Sequence, residues 1–586
     1  MPPRADAPAR RPRHRRRRAL PRDSPPHYDH AAMSTLRPPG LGPIVGHTTD
    51  RTCRLWMQAA ALDDPRKYVA DEDRRTIGVL VVMQRGDHVI PAPVRPVFYF
   101  RLHREFDRTG TFVLGREEGL GGTTPVFALE PDTTYRVRLA SLALDDAEDN
   151  ECVTCDRSLA QTLPNPQVWA AQIERIPAVA CEAVFRTASR ADAVAPAFAF
   201  MLGSCRYPGL AWKVKESDRI FGPMFDELSK ERHGARPSLV IMCGDQIYAD
   251  TYHKAIPIGL ADTHAEFTER YQQAFGSFNM RRLLRHVPTY MTLDDHEIED
   301  NWTQDRIRAP NKKMLFNLAI GAYMSYQWSH SPRNYGKRLY YSFDTCGYPF
   351  FVLDTRTQRY MDDIPDTVED NHLLGRPSLD PSEPSQLDVL CDWLVEQQQT
   401  RGDVPKFVVS SSVFAPNPVF AINGASVRHL EKSDSWPAFP NTRRALLQTI
   451  VDRKIQNVIF LSGDVHSAST AELYFRGGGS EHLRAFSLVS SAFYWPFPFA
   501  DGDPAEFVHD SRDPRTPDTF EIRPGVTMDY RAWNFCNDDN FAHITVDRAA
   551  HSLTMELIGR DGELIRRKGP YKREVDLTSR LDLAPW

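Results

Sequence analysis

Two textures of apolar and polar positions divide the chain. Between residues 41 and 195 the apolar runs are short and often alternate with polar residues, as in RTIGVLVVMQ (75–84) and PVFYFRLH (96–103). Turn residues separate them, and the pattern predicts an all-β domain. FALEPDTTYRVRLASL (127–142) places a leucine and a proline ahead of Tyr135 and an alternating strand. AVFRTAS (183–189) predicts the last strand, and the small residues and proline of ADAVAPA (191–197) predict a linker.

From Phe198 onward short apolar runs alternate with longer stretches of helical spacing, which predicts an α/β domain over 196–565. The predicted strands are FAFMLG, SLVIMC, TYMTL, LYYSF, PFFVLD, KFVVSS, NVIFLSG and AFSLVSS. Helices are predicted around DRIFGPMFDELSKERH, PSQLDVLCDWLVEQQQT and TRRALLQTIVDRK. FAHITV and SLTMELIG predict a closing hairpin with an Asp-Gly turn after it, and residues 566–586 are expected to be a tail.

Four of these strands end in similar chemistry. The first runs into Cys205. The second runs into Asp245, Tyr248 and Asp250. The third runs into Asp294, Asp295, His296 and Glu297, and the fourth into Asp464 and His466. In open α/β sheets ligands bind beyond the carboxyl ends of strands, so the four tips predict one shared site. Carboxylate and phenolate oxygens are hard donors, imidazole is intermediate and thiolate is soft, a set that suits metal ions. Two cations about 3.5–4 Å apart can clamp the attacking and leaving oxygens of a phosphate ester. Asp245 is the natural shared ligand.

Each residue also has a structural reading. Cys205 could be a small buried apolar group, Tyr248 a cover for the sheet edge, and His296 a satisfied buried histidine. Asp294 is expected to cap the turn while Asp295 binds metal. Asp250 and Glu297 are expected to support ligands, and Cys243 to be core. Arg356 has two readings: pairing with Asp354, or gripping a phosphate through its bidentate fork.

Composition narrows the alternatives. The net charge of −5 gives no reason to expect a nucleic-acid partner, and no apolar run is long enough for a membrane span. Residues 1–40 begin with an Arg/Pro-rich stretch, expected to be a disordered tail. It lacks the apolar segment of an export signal, so cytoplasmic placement is expected. Nine cysteines without framework spacing predict reduced thiols. Cys152 and Cys155 form a lone CxxC, a weak indication of zinc or redox chemistry.

In order, GSCRYPG, GDQIYAD, LDDHEIEDNW, LDTRTQR, DSWPAFPNTRRALL and LSGDVHSAS resemble the motifs of PhoD-type alkaline phosphatases of the metallophosphoesterase superfamily. The resemblance implies an α/β sandwich of two sheets flanked by helices. It also implies a fibronectin III-like or immunoglobulin-like domain ahead of it, with Tyr135 as its tyrosine corner. It implies Asp245 as bridging ligand, Asp295, Asp464 and His466 as further ligands, and Cys205 and Tyr248 completing the set. His296 matches the general acid, and the metals implied are iron (Fe3+) and calcium. The expected activity is phosphomonoester or phosphodiester hydrolysis at alkaline pH. The alternatives are a phospholipase D-like activity at the same site, or a binding module without catalysis.

Overall fold

A computed structural model describes residues 35–60, 74–116, 126–147, 165–190, 192–209, 215–250, 259–333, 335–336, 338–361, 368–378, 380, 382–417, 420–422, 425–427, 434–497, 509–513, 517–568 and 574–586. The Arg/Pro-rich stretch 1–32 and the Cys152–Cys155 pair lie outside the described residues.

The strand Arg74–Arg85 explains the first texture. Its Leu80 and Val82 enter one apolar cluster, while Ile77, Val79, Val81 and Met83 enter another. Both faces are buried, which is why residues 77–83 carry no polar side chain. The first cluster lies between its own sheet and a second one made of Leu41–Thr48, Cys53–Gln58 and Thr109–Leu114. The other face is covered by the helix Pro166–Gln172 through Trp169 and Ala170. That helix and the short helix Ala178–Cys181 depart from the all-β expectation for this region, because the second face of the sheet needs an apolar cover. The Tyr135 hydroxyl accepts a hydrogen bond from the Glu130 amide at 2.8 Å, which closes the corner before the strand Thr134–Ala147.

The second texture forms two larger sheets. One has six strands in the order Thr289–Met291, Pro237–Met242, Ala197–Gly203, Asn540–Asp547, Ser552–Gly559 and Thr578–Asp582. Its first three strands are parallel. The other has eight strands, with Tyr348–Val352, Lys406–Ser410, Val458–Ser462 and Ala485–Val489 as its parallel centre. Alternation sorts their side chains. Phe350, Phe407, Ile459 and Leu461 meet Phe200 and Leu202 of the first sheet, while Phe351, Val408 and Phe460 face the helices Gln386–Arg401 and Pro440–Asp452. The mixed α/β architecture of stacked sheets and flanking helices is therefore present.

The C-terminal residues depart from the expected tail. Thr578–Asp582 pairs with Ser552–Gly559 and buries Ser579 and Leu581. With only one apolar residue, the strand gave too little pattern to read.

The β-region does not stand apart from the α/β region. Leu41, Ile44 and Trp56 belong to the large apolar core between the sheets and helices, and Trp56 Nε1 donates to the Ser325 carbonyl at 2.8 Å. A Cβ on Gly46 would lie 2.3 Å from the His330 carbonyl oxygen, so backbone meets backbone there. Leu36–Trp586 form one compact unit. Among the described residues no helix is long and apolar enough to cross a membrane, and the described cysteines form no disulfide.

Candidate active site

At three of the four strand tips the backbone reverses through left-handed residues, while Asp294 at the remaining tip is extended. Cys205, Asp245, Asp464 and His466 all take left-handed conformations, with φ of 58°, 56°, 72° and 49°. Non-glycine residues rarely do so, and such strain concentrates at functional sites. Two glycines let the loops touch. At Gly244 (φ 100°) a Cβ would lie 2.4 Å from Asp294 Cβ, and at Gly463 a Cβ would lie 2.2 Å from Ser204 Oγ.

Three groups of potential ligands share Asp245, and one of them joins it to Asp295 and His296. In the first, ligand atoms of Cys205, Asp245 and His466 all lie within 4.8 Å of one another. Tyr248 joins it: its Oη is 3.3 Å from Asp245 Oδ2 and 3.3 Å from His466 Nε2, while Cys205 Sγ is 3.4 Å from the same carboxylate oxygen. The second group contains Asp245, Asp294, Asp295 and Asp464, again within 4.8 Å.

This donor set fits cations. Buried carboxylates packed together need opposing charge. Burial, reinforced by Asp294, Asp295 and Glu297 and opposed by His296, raises the Asp245 carboxyl well above the usual carboxylate range. Burial first, then the Asp245 charge, likewise raises the Cys205 thiol and the Tyr248 phenol. Such groups give up their protons when a cation takes their place. Oδ1 of Asp245 accepts no hydrogen bond among the described residues, which leaves it available as a ligand.

His296 lies at the edge of the site, with its side chain 19% exposed. Its Nδ1 is 2.6 Å from Asp250 Oδ1, and Asp250 Oδ2 accepts the Asp300 amide at 2.6 Å. The imidazole stacks on the Tyr248 ring, centroids 4.2 Å apart. Burial works against its positive charge, but Asp295, Asp250 and Asp245 outweigh it and raise its pKa well above the ordinary histidine value. His466 is held by the indole of Trp495, with centroids 3.6 Å apart.

Arg356 differs from both of its sequence readings. Only its backbone amide reaches the Asp354 carboxylate. Its guanidinium is fully buried and faces Asp294, Asp434, Asp295 and Asp464, the last two at 3.4 and 3.6 Å. The fork is committed to carboxylates, so its placement is that of a positioning residue for Asp294 and Asp464 and not of a phosphate grip. Asp434 also pairs with the buried Arg359.

Sequence reasoning favoured Asp295 over Asp294, whereas the geometry brings both into the acidic group. It did not single out Asp434, Arg359 or Trp495. Asp434 and Arg359 lie within quoted motifs, but their partners are distant in sequence.

Comparison with known proteins gives a consistent picture. Residues 212–493 match the family model described as PhoD-like phosphatase. Alkaline phosphatase D of Bacillus subtilis (strain 168) is 26% identical over 262 residues, which cover 40% of this chain and 42% of that protein. The match thus spans less than half the length of this curated relative. A solved structure described as "Structure of PhoD" is similar in fold, with a TM-score of 0.58 at 17% identity, covering 92% of this chain and 89% of that one. Residues 212–493 of this chain are therefore similar to the PhoD-like phosphatase family.

Proposed function

We propose that this protein is a metal-dependent phosphoric ester hydrolase acting on phosphomonoesters or phosphodiesters at alkaline pH. The observation that carries the reading is the double membership of Asp245, which sits in a Cys205–Asp245–His466 group and in an all-carboxylate group at once. Cys205, Asp245, Tyr248 and His466 would hold one cation, for which the resemblance implies iron and which thiolate and phenolate donors would suit. Asp245, Asp294, Asp295 and Asp464 would hold a second, whose all-oxygen donors suit calcium.

The chemistry supplied by cations at such a site is Lewis acidity toward the phosphoryl group and the attacking oxygen. The chain supplies the rest. Arg356 keeps the carboxylates aligned and balances part of their charge from behind. His296 carries a proton at the rim of the site, oriented by Asp250, and is the candidate to protonate the leaving oxygen.

The test pairs elemental analysis with a chromogenic assay on nitrophenyl monoester and diester substrates. Hydrolysis that disappears on chelation and returns with added metal is expected. A protein that holds no metal, or that hydrolyses neither ester with metal bound, overturns the reading.

A further inference from the structure

The geometry points to Glu297 as the positioning residue that locks the two loops carrying the shared ligands to each other. This deepens the two-cation reading and rests on it.

Glu297 is completely buried and lies next to the proposed acid, yet its carboxylate faces the loops and not the donor groups. Oε2 accepts the amide of Asp245 at 3.2 Å and the amide of Asp294 at 2.8 Å. Oε1 accepts the amide of Gln246 at 2.7 Å, that of Ile247 at 3.5 Å and Nε2 of Gln327 at 3.3 Å. Gln327 Nε2 is also 3.1 Å from the Tyr271 hydroxyl on the helix His264–Gly276. One carboxylate thus joins the tip of one strand, the tip of its neighbour and a helix of the outer layer.

The side chain is specific for this task. Carboxyl oxygens are acceptors, and here every group approaching them is an N–H donor. Glutamine has the same shape, but its amide nitrogen would face amide donors on one side of the site. A donor against a donor in a buried place costs the full desolvation of both groups. Because Oε2 alone is shared by Asp245 and Asp294, loosening it frees both loops together.

Hydrogen–deuterium exchange on the metal-free, full-length protein tests this without relying on catalysis. In Glu297→Gln, peptides spanning 244–248 and 293–296 should exchange about tenfold faster or more, while the strand Pro237–Met242 keeps its protection. Acceleration in only one loop, or in neither, overturns the proposal. If Glu297→Gln fails to fold, Gln327→Leu decides: it removes one donor and touches neither loop, and a smaller acceleration in both loops is expected. An unchanged exchange pattern in Gln327→Leu then overturns the proposal. With metal loaded, a chelator should strip both cations from Glu297→Gln in step, and release of one cation alone counts against it. A wild-type protein that takes up no cation sinks the two-cation reading, while the exchange result still reports on the loops.

Discussion

The Asp250 carboxylate meets Nδ1 of His296 at 2.6 Å while its other oxygen holds the Asp300 amide. The imidazole is thus oriented from behind, and one ring nitrogen is left for chemistry. His296→Ala should keep the metal content and lower turnover by about 10²–10⁴-fold. The loss should be largest for alkyl phosphates, whose leaving oxygen needs a proton, and smallest for nitrophenyl phosphate. Equal losses for both would argue against the acid role. Asp250→Asn should cost about tenfold and shift the alkaline limb of the pH–rate profile.

Asp245→Asn removes the charge common to both groups of ligands. Elemental analysis should show loss from both sites, and activity should fall with it. A variant that kept both metals and full turnover would contradict the shared-ligand assignment.

Cys205 and Tyr248 are electron-rich donors, and ferric iron is an oxidising acceptor. Protein made with iron available should therefore show a visible charge-transfer band that dithionite bleaches. Cys205→Ser and Tyr248→Phe should each shift or weaken it. A colourless protein fully active with zinc or manganese alone would remove iron from the account and leave Cys205 as packing.

Gly244→Ala tests how tightly the loops converge. The residue sits at φ 100°, and its Cβ would lie 2.4 Å from Asp294 Cβ. Backbone strain alone costs about 1–3 kcal/mol, and the clash pushes Asp294 outward. A lower urea midpoint together with weaker metal retention is expected. Wild-type values for both would show that the loops can separate without cost.

His330 lies fully buried under Gly46, and burial lowers its pKa to about 4. It is neutral in the folded state, whereas an unfolded histidine titrates near 6.5. Below that value the unfolded chain binds the extra proton, so stability falls as pH drops from about 6.5 toward 4. The contribution is about 1.4 kcal/mol per pH unit over that window. Urea midpoints measured on the metal-free protein between pH 7 and pH 5 should fall, and the slope should shrink in His330→Gln. An identical slope in that variant would assign the acid sensitivity elsewhere.

The sequence showed the strand tips because each is a short apolar run broken by glycine and followed at once by polar chemistry, as at Gly244-Asp245 and Gly463-Asp464. It could not separate Asp294 from Asp295. Neighbouring residues leave a turn in directions set by the local backbone, and here both reach the acidic group. Asp434 was unreadable for another reason: its partners Arg356 and Arg359 lie more than seventy positions away, and only the fold brings them together. The insertion of Trp56 into the α/β core was hidden likewise, because an apolar residue on a strand does not announce which core it joins.

The left-handed backbone at Cys205, Asp245, Asp464 and His466 has a consequence for how this protein can change. At each of those positions glycine would fit the backbone better, by about 1 kcal/mol, and at two of them it would also remove a carboxylate from a crowd of others. In the absence of metal, selection for thermal robustness alone would therefore erase the chemistry first. A library of this protein screened only for heat resistance should accumulate glycines at the strand tips, and its hardiest members should be inert.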